Sequence, residues 1–239
     1  MDLSTLPTAA ALVLPGACPS RWHPGLPAAR HSELFASGCE ASGAATALVL
    51  ALDGLRAEGD DLEQRSVLWV QDAASLRLTG RPYRPGLPSA LRGRLIHVLA
   101  PKPEDALFAL EEGVRSRDLA SVIGEIAGNP KALDFTASRR LSLAAEKHGV
   151  PLFLVRINAE RDLSSARMRW QIRSAASPAP RWNPAAPGSP SWRAELFRAR
   201  SHAPGEWILT DDGQQLAAQP ATSPDHGDLA GAAGDRPLA

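Results

Sequence analysis

The 239-residue chain has little cysteine and no long apolar segment, and each shortage excludes a class of protein. Its two cysteines, Cys18 and Cys39, are too few for a disulfide framework and lack the paired spacing of a metal site. No stretch approaches the roughly 20 apolar residues that cross a bilayer, and no basic residue precedes the apolar stretch 9–14. We therefore expect a cytoplasmic protein with no membrane partner.

Formal charge cancels over the whole chain, but it is unevenly distributed. Residues 136–200 contain twelve Lys and Arg against four Asp and Glu, which leaves fourteen against twenty-two elsewhere, a difference of +8 in one part and −8 in the other. A basic section of this kind suits an acidic protein surface or a nucleic-acid backbone. Arginines on solvated strands give the same count, so both interpretations stay open.

Apolar runs of strand length alternate with helical patterns, which predicts an α/β fold with a central, mainly parallel sheet flanked by helices. The predicted strands are 31–36, 67–71, 95–99, 119–126 and 150–157, and 168–173, 193–200 and 206–210 form an antiparallel C-terminal extension. Helices are predicted over 44–55, 103–118 and 138–148, the last capped by Ser138 and ended by Gly149. We expect a partly flexible segment 1–21, a domain 22–212 and a disordered tail 213–239.

The strongest local motif is GCEASGAA at 38–45, between a predicted strand and a predicted helix. A phosphate loop of the form G-x-x-x-x-G-K-[ST] needs glycines at this separation, and Gly38 and Gly43 fit. Ala44 and Ala45 stand where the loop has its phosphate-binding Lys and its magnesium-binding hydroxyl. A tight strand-to-helix turn would use the same glycines. The candidate site is this degenerate loop: Gly38, Glu40, Ser42, Gly43, Ala44 and Ala45.

Segments along most of the chain resemble known families. PGLPAARHSELFASGCEASGAATALVLAL and LIHVLAPKPEDALFALEEGVRSRDLASVIGEI resemble the RecA core, with the Walker B acid displaced to near Gly124 and Glu125. LWVQD, GRPYRPGL, ALEEGVR, DFTASRRLSLAAEKHGVPLFLVR, SSARMRW, WRAELFRAR and PGEWIL follow in an order that resembles the ImuA family, a RecA/SulA-like family of bacterial mutagenesis cassettes.

The resemblance implies a RecA-like fold and an SOS-induced accessory factor that acts with ImuB and an error-prone polymerase to copy damaged DNA. Contact with RecA itself is also implied. A loop without the Lys and the hydroxyl loses charge-assisted contacts to phosphate and metal, so we expect a non-catalytic protein without a cofactor. The alternatives are an atypical nucleotide enzyme that takes its cation from elsewhere, a direct DNA-binding protein and a SulA-like inhibitor of cell division.

Arginines of the basic section are candidate contacts to DNA or to an acidic partner, because their forked donors match phosphate and carboxylate. The candidates are Arg139, Arg140, Arg167, Arg169 and Arg173, with Arg156 in the same section. Surface charges that only solubilise a helix and a strand are the alternative. Tryptophans in or beside loops mark either an interface or the core, with the core favoured: Trp22, Trp182, Trp192 and Trp207. The histidines show no metal-ligand spacing, so no zinc site is expected.

Overall fold

The computed structural model describes residues 31–57, 65–200 and 202–221, which contain nine strands, five α-helices and one short 3-10 helix, Arg84–Gly86. The strands are β1 (His31–Ala36), β2 (Ser66–Asp72), β3 (Leu95–Ala100), β4 (Leu119–Ala127), β5 (Leu152–Ile157), β6 (Met168–Ser174), β7 (Ser191–Ala199), β8 (Gly205–Asp211) and β9 (Leu216–Pro220). The helices are α1 (Ser42–Ala57), α2 (Ala73–Thr79), α3 (Ser89–Arg92), α4 (Pro103–Arg115) and α5 (Phe135–His148). The predicted segment 1–21 lies outside the described residues.

All of these strands pair in one sheet with the order β3-β2-β4-β5-β1-β6-β7-β8-β9. The first six in that order run parallel, whereas β7, β8 and β9 are joined by antiparallel pairing. Parallel neighbours need long crossover connections, and α1, α4 and α5 provide them. The predicted α/β fold with a mainly parallel sheet and an antiparallel extension is confirmed. None of the helices in the described ranges is long and apolar enough to cross a membrane.

Helices cover both faces of the parallel part of the sheet. Because side chains alternate along a strand, Val155 packs with α1 on one face and Leu154 packs with α4 and α5 on the other. The α1 side continues into the antiparallel extension through buried Trp170 and Leu196. Each of these helices therefore buries one apolar stripe against the sheet. The turns between strands and helices lie at the two ends of the strands.

Helix α5 begins earlier than the sequence analysis predicted. The Asp134 carboxylate accepts a hydrogen bond from the Ala137 amide at 2.7 Å and caps the helix, which then starts at Phe135. Ser138 is a buried residue inside the helix, and its hydroxyl is hydrogen-bonded to Ser164, so its prediction as the cap is wrong. Aspartate and serine are equally good N-caps, and the local sequence offers both. Gly149 ends the helix at φ 78°, as predicted.

The sheet continues beyond the predicted domain end at 212. Strand β9 pairs with β8, and Leu216 on it is buried against the core, so the prediction of disorder from 213 onward is wrong for Leu216–Pro220. An edge strand takes its hydrogen bonds from one neighbour and needs only one apolar face, which Leu216 and Ala218 supply. Residues 22–30 of the predicted domain and 222–239 of the predicted tail lie outside the described residues.

Candidate functional site

The turn between β1 and α1 lies at the carboxyl ends of β1 and its parallel neighbour β5. The Gly38 amide donates to the Asn158 side-chain oxygen at 2.8 Å, and the Cys39 amide donates to the Ser37 hydroxyl at 3.1 Å. A phosphate loop directs successive backbone amides of this kind at its ligand. Here two of them already bind oxygens of the protein.

Glu40 places a carboxylate inside this turn. Its Oε2 accepts a hydrogen bond from the Ser174 amide at 2.9 Å, at the carboxyl end of β6. Hydrogen bonds from Ser174, with a smaller contribution from the Ser42 hydroxyl, hold the pKa of Glu40 below its ordinary value. Glu40 is therefore ionised at neutral pH, and its negative charge opposes binding of a phosphate at the same turn.

Gly43 is required by the close packing of α1 on the sheet. A Cβ at this position would lie 2.7 Å from Cβ of Ala36 and 2.8 Å from Cγ1 of Val155. Ala44 and Ala45 are half-buried and pack against the apolar cluster around α1. The cavity between the turn, Thr79 and Glu125 measures about 10 Å³, room for about one water molecule.

Glu125, near the position predicted for a displaced Walker B acid, is buried near the end of β4. Its carboxylate accepts hydrogen bonds from the Trp69 indole at 2.6 Å, the Thr79 hydroxyl at 2.8 Å and the Gln71 amide at 3.2 Å. Burial raises the pKa of Glu125 above its ordinary value despite these donors. The acid thus links β2, α2 and β4. Polar residues within otherwise apolar strands, such as Gln71 and Glu125, are the sequence signal that marks this network.

The raised pKa of Glu125 predicts a specific pH dependence of stability. Between the ordinary value of 4.5 and the raised value, the folded protein keeps a proton that the unfolded chain has lost. Stability is therefore lost as pH rises through this interval. Glu125→Gln removes the titration, so its free energy of unfolding should improve relative to wild type as the pH rises. Urea unfolding of both proteins from about pH 4 to about pH 8 measures this difference.

Glu104→Gln, which removes an exposed carboxylate on α4, is the matched control for the change in charge. A difference between Glu125→Gln and wild type that stays constant with pH would contradict a raised pKa for Glu125.

Metal-ligating side chains do not gather near the turn or elsewhere in the described part of the chain. Within residues 31–57, 65–200 and 202–221, no group of three or more His, Cys, Asp or Glu side chains could hold a metal ion. The two acids of this site, Glu40 and Glu125, instead accept hydrogen bonds from donors within the protein.

Arg169, predicted to contact DNA or a partner, is buried, and this prediction is wrong. Its side chain is 3% exposed, and its Nε donates to Oε2 of the fully buried Glu33 at 2.7 Å. Arg156 lies in the same cluster, 1% exposed and 3.7 Å from Oε1 of Glu33. Arg156 on β5 and Arg169 on β6 lie on the two strands that flank β1, which carries Glu33 between them. The number of basic residues in the sequence includes these two arginines, but a partner cannot reach them.

The other predicted arginines lie nearer the surface. On α5, Arg139 is exposed, while Arg140 donates to Glu111 at 2.7 Å. Arg167 pairs with Glu146 of the same helix, which brings these three arginines to one side of the molecule. Arg173 is exposed near the other end of β6, close to the turn that holds Glu40. Their role as contacts to a partner or DNA stays a prediction.

The tryptophans divide between core and surface. Trp192 is buried in the core, and Trp207 packs edge-on against Trp170 with ring centroids 6.1 Å apart, as the core interpretation predicts. Trp182 is 80% exposed in the loop before β7. Trp22 lies outside the described residues. The prediction that these tryptophans belong to the core is therefore wrong for Trp182.

Comparisons with known proteins bear on the family. No protein-family model matches the chain. The ImuA proteins of two strains of Caulobacter vibrioides are each 34% identical to it over 198 residues, which cover 77% of this chain and 76% of theirs. The match extends over most of both chains, so it is not confined to the glycine-containing turn. The chain belongs to the ImuA family.

Proposed function

We propose that the protein is a non-catalytic accessory factor of the ImuA/ImuB mutagenesis system, which supports error-prone translesion DNA synthesis by binding RecA, ImuB or both. Membership of the ImuA family supports the role in mutagenesis. One observation supports the proposal that the protein is non-catalytic. Where a phosphate loop has its Lys and its hydroxyl, this turn has Ala44 and Ala45, and it adds the carboxylate of Glu40.

The proposed scaffold is a RecA-like core with a degenerate phosphate loop. The β1–turn–α1 unit lies inside the parallel part of the sheet, between β5 and β6, and Glu125 lies near the carboxyl end of β4. In open α/β sheets of this kind, ligands bind beyond the carboxyl ends of the strands. The position of the turn supports descent from a nucleotide-binding site, while its residues favour loss of that binding.

Three features of the turn oppose nucleotide binding. The Gly38 amide is already bonded to Asn158, and the ionised Glu40 would repel phosphate. Ala44 stands in place of the phosphate-binding Lys. A phosphate-binding turn also depends on charge-assisted contacts from Lys, which contribute more than neutral hydrogen bonds. Recognition of partner proteins is therefore the function that this site supports best.

Magnesium-ATP is expected to leave the melting temperature of the protein unchanged. A ligand that binds the folded state stabilises it by about 2.7 kcal/mol at 100 times its Kd, so even moderate binding would be visible. Thermal unfolding with and without millimolar ATP measures this, and ATP turnover with DNA present completes the test. RecA serves as the positive control. Strong ATP-dependent stabilisation, or turnover comparable to that of RecA, would favour the atypical nucleotide enzyme.

The adaptor role is tested by co-purification. The tagged full-length protein, co-expressed with ImuB and RecA from the same bacterium, is expected to retain at least one of them without added nucleotide. Retention of neither, with normal mutagenesis in damaged cells that lack the protein, would reject the proposed function.

A further inference from the structure

A second cavity, of about 140 Å³, lies where β6 begins and β7 ends. The segment that leads into β6 forms one wall and the end of β7 forms another. Glu40 contacts Ser174 at the far end of β6, so this cavity is separate from the degenerate phosphate loop. Its lining includes Phe135, Ser165, Arg167, Arg198 and Arg200.

The cavity carries unneutralised positive charge. Arg167 is paired with Glu146, but Arg198 and Arg200 are exposed and form no ion pair with any residue that the structure describes. The Arg200 amide donates to the Arg167 carbonyl at 3.3 Å, which joins the two walls. Arg198 and Arg200 therefore line one small cavity without a carboxylate partner among the described residues, which favours an anionic ligand.

An apolar side chain lies in the same cavity wall as these arginines. Phe135, at the start of α5, is 48% exposed and forms part of that wall. An apolar group next to free guanidinium groups suits a ligand with both an acidic and an apolar part.

We propose that this cavity binds a segment of a partner protein in which one or more carboxylates flank a large apolar side chain. The carboxylates would pair with Arg198 and Arg200, and the apolar side chain would pack on Phe135. This inference deepens the proposed adaptor function and rests on it for the partner, whose chemistry it specifies.

DNA fits the same surface less well. A nucleic-acid backbone is held by a row of basic residues that each neutralise a phosphate. Arg140 of α5 is already paired with Glu111, and Arg167 in the cavity wall is already paired with Glu146 of α5. These carboxylates would repel a second row of phosphates.

Binding of a fluorescein-labelled peptide that alternates Asp or Glu with Leu and Phe tests the inference, with the full-length chain and fluorescence anisotropy. Wild type is expected to bind, and Arg198→Glu with Arg200→Glu is expected to weaken binding by about tenfold or more. Arg77→Glu, an exposed arginine on α2 beyond the carboxyl end of β2, makes the same kind of charge reversal far from the cavity. It should change the affinity by less than about twofold.

Three outcomes would overturn the inference. In the first, wild type fails to bind the peptide, and in the second, the double variant binds it as well as wild type does. In the third outcome, wild type binds single-stranded DNA and not the peptide, and the double variant no longer binds that DNA. Equal melting temperatures of the variants and wild type exclude a folding defect. Co-purification with ImuB and RecA is read separately. If the chain binds the peptide but neither ImuB nor RecA, the cavity stands as a binding site and the proposed function is rejected.

Discussion

Glu33→Ala is expected to destabilise the protein by about 3–5 kcal/mol, because it leaves two buried guanidinium groups without their shared carboxylate. Glu33 is fully buried, and Arg169 and Arg156 beside it are 3% and 1% exposed. Neither arginine can lose its proton to escape the cost of burial. Removal of the Glu33 carboxylate therefore leaves uncompensated positive charge in the protein interior.

The rest of the cluster compensates only in part. Asp162 lies 3.3 Å from Arg156 and 3.5 Å from Arg169, but its side chain is 32% exposed and shares its attraction with solvent. The Ser164 hydroxyl, which donates to Glu33 at 2.8 Å, would also lose its acceptor. Each loss adds to the cost, because a buried donor without an acceptor is destabilising.

Urea unfolding of Glu33→Ala, with wild type alongside, measures the change. Glu195→Ala is the matched control: Glu195 pairs with Arg161 at 3.1 Å, but both side chains are more than 40% exposed. A surface pair of this kind contributes about 0–1 kcal/mol, so the control should stay within that range. If Glu33→Ala cost no more than Glu195→Ala, the buried cluster would not contribute to stability as inferred.

Gly43→Ala is expected to destabilise the protein by about 1–3 kcal/mol, the usual cost of an overpacked core. The added methyl would overlap Ala36 and Val155, which lie 2.7 and 2.8 Å from it. Ala36 has no side-chain torsion through which it could move away, and Val155 is a stiff β-branched residue within a central strand. Helix α1 would have to shift away from β1 and β5.

Gly54→Ala is the control for the change in backbone freedom. Gly54 lies in the same helix, and a Cβ there would meet nothing within 4 Å. This substitution should stabilise the protein by about 0.4–1 kcal/mol, because alanine restricts the unfolded chain. Thermal and urea unfolding of both variants give the comparison. Equal effects of the two substitutions would mean that Gly43 is not held by packing.

The Gly43 result bears on how the motif is interpreted. In a phosphate loop, the second glycine lets the backbone wrap around phosphate. Here glycine is required at this position by the close contact of α1 with β1 and β5, whether or not the turn binds a nucleotide. Gly43 by itself therefore does not indicate nucleotide binding, and the interpretation of the motif depends on the side chains at Ala44 and Ala45.

Local patterns in the sequence were sufficient for the strands, the main helices and the degenerate turn. Each depends on residues near one another in the chain: the apolar run within β2, apolar spacing within α1, and Gly38 followed by Gly43. The same reasoning misplaced the cap of α5, because Asp134 and Ser138 are both suitable N-caps one turn apart. It also missed β9, whose composition resembles a tail and whose hydrogen bonds come from β8.

The sequence by itself determined the class of fold and the absence of the phosphate-binding Lys and hydroxyl at 44 and 45, because residue identity and short periodicity carry that information. Only the tertiary structure decided which charges are available. Glu33 meets Arg169 136 positions away, and Glu40 meets the Ser174 amide 134 positions away. Pairings at such separations depend on strand order and on which face of the sheet is covered. Neither is visible in a local window, so a basic count cannot distinguish the buried Arg169 from the exposed Arg198.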